Sequence, residues 1–221
     1  MRHSGDPRAE PRVGAAERPA WLYIAFEGGE GSGKSTQAAR LAERLGAELT
    51  REPGGTAIGA RLRDLLLDPS VTGLDARAEA LLMAADRAQH RAEVVAPVLA
   101  SGRHVVSDRS VYSSLAYQGG GRGLDLDTIR AISQWALDDC WPDLVVFLDL
   151  DPDTAAARLA DRRLDRFELE DAGFTRRLRN TFVDLAASEP RRWVTVDGSG
   201  VIDAVTADVD AAVDAWMGAT R

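Results

Sequence analysis

Residues Glu27–Thr36 read E-G-G-E-G-S-G-K-S-T and match G-x-x-x-x-G-K-[ST], with Gly28, Gly33, Lys34 and Ser35 at the fixed positions. An apolar β-type run, Leu22-Tyr23-Ile24-Ala25-Phe26, precedes the motif, and a helical pattern from Gln37 to Leu45 follows it. That strand–loop–helix order is the setting a phosphate-binding loop needs. Glycines let successive N–H groups turn inward around a β-phosphate, and the helix N-terminus adds the positive end of its dipole. On this reading Gly28, Gly29, Glu30, Gly31, Ser32, Gly33, Lys34, Ser35 and Thr36 cradle a nucleoside triphosphate. Lys34 reaches the β/γ-phosphates and the Ser35 hydroxyl ligates Mg²⁺.

The chain has 27 lysines and arginines together, and Lys34 is the only lysine. Arginine serves wherever diffuse positive charge is enough. A planar guanidinium cannot replace a compact ammonium in a tight phosphate cradle, so the one lysine stands where geometry demands it. A net charge of −8 argues against a nucleic-acid polymer as partner. Nucleotides remain open, because a local arginine cluster can hold phosphates inside an acidic protein. Cys140 stands alone, which excludes a disulfide framework and fits a reducing, cytoplasmic setting. No run of about 18 apolar residues occurs to span a membrane.

Residues 1–20 are rich in Gly, Pro, Arg and Glu without hydrophobic periodicity, and are expected to be a disordered tail before one domain over 21–217. Strands are expected at 47–50, 104–107, 144–148 and 193–196, alternating with helices at 58–67, 75–100, 127–137, 153–159, 174–187 and 201–217. The alternation predicts an α/β domain with three layers, a five-stranded parallel sheet flanked by helices. Arg51 and Glu52 end the second strand at the Pro53-Gly54-Gly55 turn, at the mouth of the site. Asp108 and Arg109 end the third strand, placed to reach Mg²⁺ and a phosphate. Ser114, Tyr117 and Gln118 form a hydrogen-bonding set suited to a base and sugar, followed by a flexible loop at Gly119-Gly120-Gly121. Arg87 reads locally as a structural ion pair, His90 as a solvated or capping histidine, and His104 as packed at its strand's start. The stretch 161–168, with Arg162, Arg163 and Arg166, is expected to be a short Arg-rich lid.

With these residues assembled, the chain resembles the thymidylate kinases of the P-loop nucleoside-monophosphate kinase group. The resemblance rests on F-E-G-G-E-G-S-G-K-S-T-Q, R-E-P-G-G-T, A-D-R-A-Q-H, D-R-S with S-S-L-A-Y-Q-G-G-G-R-G, and L-D-R-F-E, in the family's order from about Trp21 to Trp216. It implies transfer of the ATP γ-phosphoryl group to dTMP in dTTP biosynthesis, with Mg²⁺ and a homodimer. It further implies that Glu30 approaches the deoxyribose 3′-hydroxyl, Arg51 and Arg109 hold the acceptor phosphate, and Arg87 meets thymine O4. Ser114 and Gln118 then serve the base, and Tyr117 crowds the 2′ position. Met83 stands where the family often has a thymine-stacking phenylalanine, and a thioether can still cover an aromatic face. Such enzymes place a catalytic arginine in the phosphate loop or the lid. The loop position here is Gly31, so the role falls to Arg163 and Arg166, beside Lys34 and Arg109.

The absence of an obvious general base agrees with this resemblance. A phosphate monoester with second pKa near 6 is largely a dianion at neutral pH, so catalysis reduces to alignment and charge neutralisation. Two alternatives stay open, a deoxynucleoside kinase and an ATP-binding regulatory P-loop protein. The first places its carboxylate base after the second strand in an E-x-x-x-x-W-like context, where this chain has R-E-P-G-G. A GTPase is excluded, because N-K-x-D needs a second lysine. Lys34→Arg should fold normally yet lose phosphoryl transfer, as thermal melting and a turnover assay would show; full activity would refute the cradle.

Overall fold

The apolar run before the phosphate loop becomes the middle of a sheet in the computed structural model, which describes residues 21–160 and 164–219. The expected tail at 1–20 and the lid residue Arg163 fall outside the described residues. The strands are β1 (Tyr23–Glu27), β2 (Glu48–Arg51), β3 (Val105–Asp108), β4 (Leu144–Asp149) and β5 (Trp193–Asp197). They lie in the order β2-β3-β1-β4-β5 and every pairing is parallel. β1 is buried along its whole length, because both faces of a parallel sheet are covered.

Strand alternation sorts the core into two layers. Leu144, Val146 and Leu148 of β4 join Ile24 and Phe26 against α1 (Lys34–Leu45) and α9 (Ile202–Ala219), through Leu41, Val209 and Trp216. Val145 and Phe147 face the other way, toward Tyr112, Leu115 and Phe182 of the helices that include α8 (Ala172–Ser188). The register sets Phe26 opposite Asp108 and Arg51 opposite Asp108, so the ends of β1, β2 and β3 reach the same level.

Helix starts separate structural from functional termini. Thr56 caps α2 (Ala57–Leu67), Asp75 caps α3 (Ala76–His90), and Asp171 caps α8, each side chain accepting a backbone N–H. α1 has no such cap. It follows Gly33, whose φ of 90° is left-handed, and carries no acidic residue in its first turn. Its first N–H groups are therefore left for an external anion.

Two expectations change. The helix expected at 75–100 continues from α3 into α4 (Ala96–Ala100) but widens to π-type hydrogen bonding over Arg91–Val95. The glycine run is not a flexible loop. After the short α5 (Val111–Ser114), a π-type turn over Leu115–Gly121 buries Gly119 and Gly121. The glycines serve close approach here, since a Cβ on Gly121 would lie 2.4 Å from Phe174 Cε2 of α8. The remaining helices, α6 (Leu126–Leu137) and α7 (Pro152–Leu159), fall where expected.

Glu27, the last residue of β1, ties the sheet to the turn after β3. Its Oε1 accepts from Ser110 N and Oγ, both at 2.8 Å, and its Oε2 accepts from Ser113 Oγ at 2.6 Å. Burial raises its pKa to about 7 against the opposing pull of Ser113, Arg109, Ser110 and Lys34. Between pH 4.5 and about 7 the folded chain keeps a proton that the unfolded chain has released, so this group's contribution to stability falls as pH rises. Glu27→Gln should flatten that segment of the Tm-against-pH curve, and an unaltered slope by calorimetry would contradict the account. Gly121→Ala, by overpacking against Phe174, should cost about 1–3 kcal/mol in urea unfolding.

Candidate active site

The phosphate loop closes as its glycines require. Gly28 has φ 147° and Gly31 has φ 75°. A Cβ on Gly28 would sit 2.6 Å from the Leu148 carbonyl oxygen, so only glycine fits. Lys34 is buried, and its Nζ donates to Gly29 O at 2.6 Å and Ser32 Oγ at 3.3 Å. Burial, then Arg109, lowers the Lys34 pKa, while Glu30, Asp108 and Glu27 oppose the fall. An ammonium crowded by a guanidinium is a place for an anion.

Asp108 stands beside this loop at the end of β3, as its strand position predicted. Ser35 Oγ donates to Asp108 Oδ2 at 2.5 Å, and Asp108 Oδ1 is buried without a hydrogen-bond partner. A hydroxyl and an under-used carboxylate fit Mg²⁺, which takes few protein ligands and completes its shell with water and phosphate oxygens. Among the described residues no cluster of three or more His, Cys, Asp or Glu forms a protein-only metal cage.

Arg109 follows Asp108 with φ 72°, a left-handed conformation that costs a non-glycine residue about 1–3 kcal/mol. The bonds from Arg109 N to Phe26 O at 2.9 Å and from Ser107 Oγ to Arg109 O at 2.7 Å hold it there. Its guanidinium ion-pairs with Glu30 and lies 4.9 Å from the Tyr117 ring centroid. Tyr117 OH also donates to Glu30 Oε1 at 2.8 Å. Burial alone would raise the Glu30 pKa, but Arg109, Lys34 and Tyr117 outweigh it and bring it to about 2. Glu30 is therefore a permanent acceptor facing the cleft.

Beyond this charged end a cleft opens, with about 550 Å³ of space counting its open mouth. Arg63 of α2 lines it and donates to Pro53 O at 2.8 Å. Burial, then Arg51 and Arg109, lowers the Arg63 pKa, so three guanidiniums influence one another here. Sequence reading missed Arg63. Its position beside Leu62 and one turn before Leu66 and Leu67 on α2 was the available signal. Arg51 is exposed at the end of β2 and does not line the cleft.

The inner end of the cleft is walled by Leu67, Met83 and Phe167. Arg87 is buried there. Its Nε donates to Glu52 Oε2 at 3.0 Å and its Nη2 to Ser114 Oγ at 2.9 Å, while Nη1 is buried and unpartnered. Gln118 Nε2 donates to Glu79 Oε1 at 2.8 Å, which leaves the buried Oε1 of Gln118 without a donor. His90 corrects the expectation of a solvated or capping histidine. It is fully buried, with Nδ1 2.9 Å from Glu52 Oε1 and Nε2 2.7 Å from Thr50 Oγ1. His104 does pack at its strand's start, accepting from Leu22 N at 3.0 Å.

The expected lid residue Arg166 is not at the phosphate loop. Its Nη1 lies 2.7 Å from Glu79 Oε2, its Nε donates to Leu66 O at 2.8 Å, and its guanidinium covers the Phe167 ring. A different arginine meets the loop. Arg158 of α7 donates from Nη1 to Gly31 O at 3.2 Å and to Gly198 O at 2.9 Å. Lys34, Ser35, Asp108, Arg109 and Glu30 thus gather at one end of the cleft, and Met83, Arg87, Ser114 and Gln118 at the other, with Tyr117 between.

Known proteins resemble this chain over most of its length. The family model for thymidylate kinase matches residues 26–209. A thymidylate kinase of Halothermothrix orenii is 48% identical over 185 residues, covering 80% of this chain and 88% of its own. One from Bifidobacterium longum (strain DJO10A) is 46% identical over 197 residues, covering 86% and 95%. The crystal structure of thymidylate kinase from Ehrlichia chaffeensis superposes with a TM-score of 0.73 at 32% identity, over 87% of this chain and 98% of that one. With the sheet order, the phosphate loop and these relatives all on one chain, the family follows: this chain belongs to the thymidylate kinases.

Proposed function

We propose that the chain transfers the γ-phosphoryl group of ATP directly to dTMP, giving dTDP and ADP. The observation that carries the acceptor assignment is the pair of unpaired polar atoms at the inner end of the cleft. Arg87 Nη1 offers a donor and Gln118 Oε1 an acceptor, both buried and both on residues that line the cleft. The Glu79 carboxylate fixes the Gln118 amide, since only its NH₂ can donate to that group. Thymine presents the complement, an O4 acceptor beside an N3–H donor. Cytosine presents an amino donor and an N3 acceptor, and so mismatches both. Ser114 braces Arg87 and Met83 walls the ring.

At the charged end the roles follow from charge. Glu30, ionised at any physiological pH, accepts from the sugar 3′-hydroxyl, and Tyr117 beside it leaves little room for a 2′-hydroxyl. Arg109 and Arg63 hold the acceptor phosphate, and Arg51, outside the cleft lining, acts on Arg63 through its charge. Lys34, the loop N–H groups and Ser35 hold the ATP phosphates. Ser35 and Asp108 hold Mg²⁺, which when bound neutralises charge on the transferring group. No proton is removed from a phosphate acceptor, so alignment and positive charge suffice. For Arg166 to join Lys34 and Arg109, its pair with Glu79 and its bond to Leu66 must open.

We also place the enzyme in the cytoplasm as a homodimer. Leu65 of α2, Leu81 of α3 and Trp135 of α6 are exposed apolar side chains on neighbouring helices, and a second copy would cover them. Among the described residues no helix is long and apolar enough to cross a membrane.

A coupled ADP-release assay across nucleoside monophosphates with ATP and Mg²⁺ tests the reading. dTMP should exceed dCMP by at least about 10³-fold in kcat/KM, because mispaired polar atoms are costly, while dUMP, lacking one methyl, should trail by only about 10–200-fold. Equal use of dCMP would overturn the base assignment. ADP release indifferent to any monophosphate would overturn the reaction.

A further inference from the structure

Arg87 can present one N–H to the cleft only if the rest of its guanidinium is held still. Glu52 does most of the holding, and its carboxylate is buried in the turn after β2. A carboxylate has two oxygens, and one held by Arg87 alone could rotate about its last bond and carry the guanidinium with it. The second oxygen is occupied. His90 Nδ1 lies 2.9 Å from Glu52 Oε1, and the far side of the ring, Nε2, meets Thr50 Oγ1 at 2.7 Å. With a neutral ring the protons have one consistent arrangement: Nδ1–H donates to Glu52, and Nε2 accepts from the Thr50 hydroxyl.

The surroundings keep this chain rigid. A Cβ on Gly55 would lie 2.6 Å from His90 Cδ2, so the turn closes on the imidazole only because that residue is glycine. Asp86 Oδ1 accepts from Gly54 N at 3.0 Å and pins the same turn to α3. The helix widens to π-type bonding immediately after His90, at Arg91–Val95. Such widened turns concentrate where a helix must aim a particular side chain.

We propose that His90 is a positioning residue for acceptor recognition: by holding the second oxygen of Glu52, it fixes the Arg87 guanidinium with Nη1 turned into the cleft. This rests on the reading of Arg87 as the base-reading donor. His90 does not touch the acceptor. It acts through Glu52 and Arg87, and the ATP side of the site has no share in the chain Thr50–His90–Glu52–Arg87. A defect here is therefore specific to one substrate.

Steady-state kinetics of the full chain separate the possibilities. His90→Phe keeps the ring volume and removes both nitrogens. It should raise KM for dTMP about tenfold or more, with kcat at saturating dTMP and KM for ATP each within about twofold. Asparagine places an amide N–H near the imidazole Nδ1 and glutamine places one near Nε2. His90→Asn should therefore stay within about threefold of the parent enzyme, and His90→Gln should resemble His90→Phe. This pair decides the matter even where His90→Phe fails to fold. In an Arg87→Ala background, adding His90→Phe should change KM for dTMP less than twofold, since the group being positioned is gone. Loss of kcat with unchanged KM, equal increases in both KM values, Gln outperforming Asn, or a full tenfold effect in the Arg87→Ala background would each overturn the proposal. Should Arg87→Ala alone leave KM for dTMP unchanged, the base reading fails and this proposal with it. A large Arg87→Ala effect beside a silent His90→Phe would sink this proposal only.

Discussion

Several cations gathered at one end of a sheet repel one another unless something negative is there, and this constraint organises the molecule. Lys34, Arg63 and Arg109 converge where β1 and β3 end, and the pKa values of Lys34 and Arg63 are both depressed by burial and neighbouring positive charge. Glu30, Asp108 and Glu27 offset part of this. Each carboxylate is committed differently: Glu30 to Arg109, Asp108 through one oxygen to Ser35, and Glu27 chiefly to the turn that carries Ser110 and Ser113. The uncapped start of α1 adds positive dipole to the same place. The carboxylates hold Arg109 firmly charged, so Lys34 and Arg63 are the cations whose charge a phosphate would most favour.

How much of this was legible in the sequence depended on the range of the signal. Strand–loop–helix at 22–45 was local and was read nearly residue for residue. The apolar β4 run read as an interior strand and lies beside the middle strand β1, and alternation with helices gave the parallel sheet but not the order of its strands. What failed was non-local. The glycines at 119–121 read as a loop because nothing nearby indicates that Phe174 and Thr181, more than fifty residues on, press against them. His90 read as solvated because its partners, Thr50 and Glu52, lie on a strand and turn far back in the chain. Arg63 escaped notice as one arginine among many, in a helix whose role was unassigned. Family likeness supplied the roles of Arg87 and Gln118, and geometry then gave them a chemical reason.

The inner cleft shows what buried polar groups can do for specificity. Apolar walls such as Met83, Leu67 and Phe167 discriminate weakly, since a methylene or methyl changes affinity by only about 1–3 kcal/mol. On the proposed reading, an unpaired donor and an unpaired acceptor would discriminate strongly, because a mismatched base would leave both desolvated and unmet. On the proposed reading, Met83 in place of an aromatic stacking residue would weaken only the less selective part of the pocket. Phe167, at the same wall and edge-on to Tyr117 at 5.3 Å, retains aromatic surface there.

Phe167 also links the wall of the cleft to a buried ion-pair cluster. It follows Arg166 directly, and Arg166 is anchored on Glu79, the carboxylate that orients Gln118. Glu79 is buried and also receives Arg122, whose Nη2 lies 3.2 Å from Oε2. A buried carboxylate left without a cation is costly, but one holding two can release either and stay paired. With Arg122 in place, Glu79 would stay paired if Arg166 were removed. The same carboxylate meets both Gln118 and Arg166, so a change in the hydrogen bonding of one reaches the other through a single side chain.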